Sequence, residues 1–127
     1  MQFDLVSPER RLASLEATSV LIPGAEGDMT VMADHAPVIS TLRPGILKVE
    51  GAENADYVVT GGFAEINASG VTVLAEMAVP TGEAKAEMID DLLEKARATA
   101  ANTEGGAKDV ADKQVADLEA LKVAAGL

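Results

Sequence analysis

At 127 residues, with 48% hydrophobic and 24% charged side chains, the chain suits one compact domain or a small domain with an appendage, and it is too apolar for a disordered acidic tail. Its 21 acidic against 10 basic residues give a formal charge of −11, which repels phosphate backbones and argues against a nucleic-acid partner, while 2% aromatic residues leave no base-stacking platform. With no cysteine and one histidine, the chain can build neither a disulfide nor a thiolate or multi-histidine metal site.

The N-terminus, MQFDLVSPERR, has neither the apolar core of a secretory signal nor Arg/Ser-rich transit character. No run approaches the roughly 20 apolar residues of a membrane span. From there to Pro80 the pattern is short and β-like: QFDLV, ATSVLI, MTVM, GILKVE, YVVTGG, FAEIN and VTVLA, separated by turn-forming residues. Strands at this spacing predict an antiparallel β-sandwich over residues 1–80. EGAENADY and NASG supply hairpin turns, Pro44-Gly45 suits a type II turn, and PGAEGD and TGGFAE read as turns because no Gly-Lys-Ser/Thr follows either. All connections are expected to be antiparallel, since no helical crossover interrupts the strands.

His35 admits two readings. It could act as a general base oriented by Asp34 and serving Ser40 as nucleophile, the arrangement of a small hydrolase. Against this, neighbours in an extended segment point to opposite sides, and no Gly-x-Ser-x-Gly elbow surrounds Ser40. The second reading is structural: His35 uses both ring nitrogens to bond backbone groups in an irregular loop stiffened by Pro37.

After AVPTG the usage turns to Ala, Glu, Lys, Asp and Leu. Met88, Leu92 and Ala96, flanked by Ile89 and Leu93, mark one apolar stripe on a helix from about 83 to 101. NTEGG ends it, with Gly105 and Gly106 as breaker, and Ala111, Val115, Leu118, Leu121 and Ala125 predict a second helix from about 107 to 125. Residues 81–127 therefore read as an antiparallel helical hairpin. With an Ala-rich seam it is only marginally stable alone and is a candidate moving part. On the first helix Glu87, Asp90, Asp91 and Glu94 form an acidic face, which reads as a solvated surface before it reads as a divalent-ion site.

VSPERRLAS, LIPGAEGDMTVMADHAPVISTLRPGILKV, GGFAEI and VTVLAEMA, followed by two Ala-rich helices, together resemble the epsilon-subunit family of bacterial F-type ATP synthase across essentially the whole chain. The resemblance implies a rotor-binding β-sandwich and a C-terminal hairpin that is a possible regulatory domain, with no active site, no metal and no cofactor. It implies the gamma subunit and the c-ring as partners, with alpha and beta subunits met transiently by the hairpin. The location implied is the cytoplasmic face of the inner membrane, reached only through partner subunits. By position, Glu26 and Asp28 match the turn that faces the c-ring loops, and His35 and Pro37 belong to the signature loop near the rotor contacts. Nucleotide-binding members carry Ile/Leu-Asp-x-x-Arg-Ala at the start of the hairpin. Here Ile89 and Asp90 keep its first half, while Leu93 and Glu94 stand where Arg-Ala is expected. The last helix balances Lys108, Lys113 and Lys122 against Asp109, Asp112, Asp117 and Glu119, unlike the basic last helix of inhibitory members.

Overall fold

The computed structural model describes residues Met1–Leu127 as nine strands followed by two helices. The strands are β1 (Gln2–Val6), β2 (Arg11–Gly24), β3 (Gly27–Met32), β4 (Val38–Leu42), β5 (Gly45–Gly51), β6 (Ala55–Val59), β7 (Gly62–Ile66), β8 (Gly70–Ala75) and β9 (Ala78–Pro80). A single 3₁₀ turn, Thr81–Glu83, leads into α1 (Ala86–Ala101) and α2 (Gly106–Ala124). No helix is long and apolar enough to cross a membrane.

The strands run in the order β1-β8-β7-β4-β2-β5-β6-β9, with β3 on β2 and β1 also paired to β2. The 14-residue β2 makes this possible. Its first half pairs with β1, its middle with β5 and its last residue with Leu42 of β4, so one strand serves two layers. The register slips between Ala17 and Ser19, and such a bulge bends a strand enough to change sheets. β1-β8-β7-β4 form one wall and β5-β6-β9 the other. Between them lies a core of 17 residues in which alternate side chains point inward: Phe3 and Leu5 from β1, Val71 and Val73 from β8, Ala64 and Ile66 from β7, Leu47 and Val49 from β5.

The sandwich followed by a hairpin is the architecture expected, and the turns at Asn54 and Asn67 form as read. Asn67 Oδ1 accepts from the amides of Ser69 (2.9 Å) and Gly70 (3.1 Å), and Asn54 Oδ1 from that of Gly51 (3.4 Å). Three details differ. β1 and β8 are parallel, with Phe3 opposite Val71, because the first and eighth strands meet at a wall built by the strands between them and need no helical crossover. VISTL, which is outside the segments read as strands, is a strand that pairs with β7 from Val38↔Ile66 to Leu42↔Gly62. Gly45 opens β5 without the positive φ that a type II turn requires. Its glycine has another reason: a Cβ there would strike the ring of Pro23.

The helices pack on the outer face of β5-β6-β9. β6 reads Tyr57-Val58-Val59, all buried, because Tyr57 and Val59 face the main core while Val58 faces the helices. Val58, Ile89, Leu93, Leu118 and Leu121 form this second cluster, flanked by Ile46 and Val79. α1 begins three residues later than the pattern suggests, since the 3₁₀ turn is followed by an extended Ala84 at ψ 139°. The breaker also acts from the other side: Gly105, at φ 65°, caps the start of α2, while Asn102 Nδ2 donates to the Ala98 carbonyl (2.9 Å) and closes α1.

Tyr57 is 8% exposed, and burial raises its phenol above the usual value of 10.0. A raised pKa means that the folded state holds the proton more tightly. The associated stability is complete below pH 10 and is lost as pH rises through the folded-state value. Denaturant midpoints measured from pH 8 to 11 are expected to fall above pH 10 in the wild type and to fall less in Tyr57→Phe.

Candidate interaction surfaces

β2 and β3 meet in a tight hairpin in which Gly24 pairs with Gly27 and Ala25-Glu26 form the turn. Glu26 is exposed and makes no ion pair. Asp28 is different: its Oδ1 accepts from Arg43 Nη2 at 2.5 Å, while Arg43 Nη1 donates to the Gly24 carbonyl at 2.6 Å. The two carboxylates assigned to this turn by position are therefore unequal. One is free and the other is neutralised from within the chain. Arg43 was the residue that sequence reading missed, although it stands inside the quoted signature stretch.

His35 and Pro37 lie elsewhere. β3 carries the chain six residues from the Glu26 turn, about 20 Å at the rise of an extended strand, before the loop that holds them. The four residues expected to contact partners thus divide between opposite ends of the sandwich. In that loop Asp34 adopts φ 64°, and its amide donates to the Ala68 carbonyl (3.3 Å). His35 Nδ1 lies 2.7 Å from the Ala36 carbonyl, so Nδ1 carries the proton and donates it. Only one of the two ring nitrogens is thereby engaged, which corrects the expectation of two backbone bonds. The hydrolase arrangement does not form: Ser40 Oγ donates to the Thr41 carbonyl (3.3 Å), and neither Asp34 nor Ser40 is hydrogen-bonded to His35.

The outer face of β1-β8-β7-β4 carries one exposed apolar row beside a row, Asp4-Thr72-Glu65-Ile39, that is polar apart from Ile39. Val6 pairs with Leu74, Leu74 with Phe63 and Phe63 with Thr41, so these residues stand in one row across four strands. Ile39 follows in the next row, opposite Glu65. Phe63 is 44% and Ile39 69% exposed, and Leu74 36%. A groove lined by Val6, Pro8, Phe63, Leu74 and Gln114 adjoins the row at its α2 side. Isolated exposed apolar residues need no explanation, whereas a contiguous row on one sheet face is a candidate for burial against a partner.

On the hairpin, Ile89 is 1% exposed and packs in the seam against Val58, and Asp90 Oδ1 accepts from Lys122 Nζ of α2 at 2.6 Å. Arg97 of α1 also pairs with Glu119 of α2 at 3.3 Å. Both residues retained from the nucleotide motif are thus engaged within the hairpin. Glu87, Asp91 and Glu94 are solvent-exposed, and no group of three His, Cys, Asp or Glu side chains is arranged to hold a metal.

Residues 1–81 match the family described as "ATP synthase, Delta/Epsilon chain, beta-sandwich domain". The chain is 61% identical over 127 residues to the ATP synthase epsilon chain of Fuscovulum blasticum, covering 99% of this chain and 96% of that one. It is 57% identical to the epsilon chain of Ruegeria sp. strain TM1040, covering 95% and 93%. Among solved structures it resembles a chain of the Euglena gracilis mitochondrial ATP synthase OSCP/F1/c-ring assembly, with TM-score 0.72, 29% identity, and coverage of 96% of this chain and 79% of that one. It shares its fold with a chain of the Tetrahymena thermophila mitochondrial ATP synthase central stalk and c-ring, with TM-score 0.73, 17% identity and coverage of 99% and 96%.

Proposed function

The chain belongs to the ATP synthase delta/epsilon family, and on that premise we propose that it is the central-stalk epsilon subunit of a bacterial F-type ATP synthase, a non-catalytic rotor part linking the gamma subunit to the c-ring. The observation that carries the reading is the asymmetry of the sandwich. Its β5-β6-β9 face is covered by the chain's own helices, whereas the β1-β8-β7-β4 face exposes Phe63, Leu74 and Ile39. A part that turns with a stalk needs one surface held firmly by its neighbour, and desolvating an apolar row supplies that hold. We assign this face to the gamma subunit and the Glu26 turn to the polar loops of the c-ring. The protein then sits on the cytoplasmic face of the inner membrane through its partners alone.

The hairpin is folded down on the sandwich through the cluster of Ile89, Leu93, Leu118 and Leu121 on Val58, while two exposed ion pairs join α1 to α2 and none joins the helices to the strands. Apolar packing on Val58 therefore decides whether the hairpin stays or lifts toward alpha and beta subunits. It is not a strong nucleotide sensor. Asp90 is occupied by Lys122, no arginine stands at Leu93, and Glu87, Asp91 and Glu94 repel a triphosphate.

The two units, 1–80 and 81–127, have separable tasks. The 17-residue core contains nothing beyond Ala78, so a chain ending at Pro80 is expected to keep its β circular-dichroism signal, to melt at lower temperature because Val58, Ile46 and Val79 become exposed, and to co-elute with a detergent-solubilised gamma/c-ring subcomplex as the full chain does. Failure of the full chain to co-elute with that subcomplex would remove the proposed function. Failure of the short chain alone would make the hairpin part of the docking unit.

A further inference from the structure

We propose that Arg43 is the positioning residue of the β2–β3 turn: it braces the turn from both sides, takes Asp28 out of intermolecular contact, and leaves Glu26 as the carboxylate that the turn presents to a cationic partner group. This deepens the assignment of the Glu26 turn and rests on it.

The brace has four bonds. The Arg43 amide donates to the Pro23 carbonyl (3.0 Å), and the Ala25 amide donates to the Thr41 carbonyl (2.7 Å), so residues 41–43 run beside residues 23–25. The guanidinium then reaches the Gly24 carbonyl at the end of β2 with one nitrogen and the Asp28 carboxylate in β3 with another. These two acceptors flank the turn residues Ala25, Glu26 and Gly27. A planar fork with several fixed donors can span them, whereas an ammonium is a single point and satisfies one at a time. The Arg43 side chain is 26% exposed, which makes it a strut lying along the sheet and not a free surface cation. Asp28 is bound by a cation of its own chain, and a second cation from a partner would meet Arg43 there as well. Glu26 has no such counterion.

The test combines amide hydrogen exchange on the full-length chain with its affinity for a solubilised gamma/c-ring complex. Arg43→Ala is expected to speed exchange of the Ala25 amide by about tenfold or more while amides of β8 such as Val73 stay protected, the signature of local opening without global unfolding. Asp28→Asn, which leaves the guanidinium in place, should speed the same amide by less, and Arg43→Lys should fall between wild type and Arg43→Ala. In the binding arm, Glu26→Gln should weaken association in the wild-type background and change it less than about twofold on top of Arg43→Ala, because a loosened turn no longer aims the carboxylate. Unchanged Ala25 exchange in both Arg43→Ala and Asp28→Asn would overturn the brace. A Glu26→Gln effect of equal size in both backgrounds would overturn the positioning role. If the wild-type chain itself ignores the rotor complex, the functional assignment fails, and the exchange data alone decide whether Arg43 holds the turn.

Discussion

Phe3→Ala is expected to cost about 3–5 kcal/mol of unfolding free energy, enough to leave the chain close to its folding threshold. Phe3 is fully buried in β1, where it sits opposite Leu15 of β2 and Val71 of β8. The rest of the core is Val, Ile, Leu and Ala with Tyr57 as its only other ring, so no neighbouring aromatic can swing in to fill the space. A cavity at the junction of β1, β2 and β8 also weakens the one place where the first strand closes the wall. Urea titration followed by circular dichroism measures the loss. Phe3→Leu, which keeps most of the volume, should cost much less.

Phe63→Asp is expected to abolish stable association with the gamma subunit while leaving the sandwich folded. The side chain is nearly half exposed, on the outer face of β7, and its removal opens no cavity in the core, where Ala64 and Ile66 hold the inner face of the same strand. In an interface it becomes a central aromatic anchor. A carboxylate at that position must be desolvated between its cross-strand neighbours Leu74 and Thr41, neither of them a cation, and truncating or charging such an anchor costs on the order of 2–4 kcal/mol, about 30-fold to 1,000-fold in affinity. Equilibrium binding to purified gamma subunit gives the number, and a thermal melt within a few degrees of wild type shows that the loss arises at the surface. Ile39→Asp in the next row should act in the same direction. The same substitution at Val123, 81% exposed on α2 and outside that row and groove, should leave binding unchanged.

Much of this architecture is legible in residue order, and the parts that are not share a physical cause. Turns are local: Asn67 and Asn54 bond to amides two or three residues away, and their chemistry is written where they stand. The hairpin stripe is also local: Leu118 and Leu121 are buried where periodicity puts them, and on α1 the buried centre is Ile89 and Leu93, one residue along from the half-buried Met88, Leu92 and Ala96. Strand partnership is not local. The parallel pairing of β1 with β8, the strand at VISTL and the use of both faces of Val58 each depend on which segment arrives from far along the chain. Pro44-Gly45 shows the same limit from the other direction: a local turn signal is overridden because Pro23, 22 residues upstream, needs the space that a side chain at Gly45 would take. Among the site residues, Glu26 and Asp28 are two residues apart in sequence and look alike. Only the arrival of Arg43 from the β4–β5 connection distinguishes them. Likewise His35 and Glu26 stand close in sequence, yet a straight β3 sends them to opposite ends of the sandwich.

Whether this chain is a rotor part of an ATP synthase is decided by purifying the tagged full-length chain from detergent-solubilised membranes of its own host and identifying what comes with it. A rotor subunit is expected to bring down the gamma subunit and the c-ring in fixed proportion, with alpha and beta subunits present through the stalk, and to lose all of them together in Phe63→Asp. Recovery of a folded chain without gamma or c subunits, or full recovery of both with Phe63→Asp, would contradict that role.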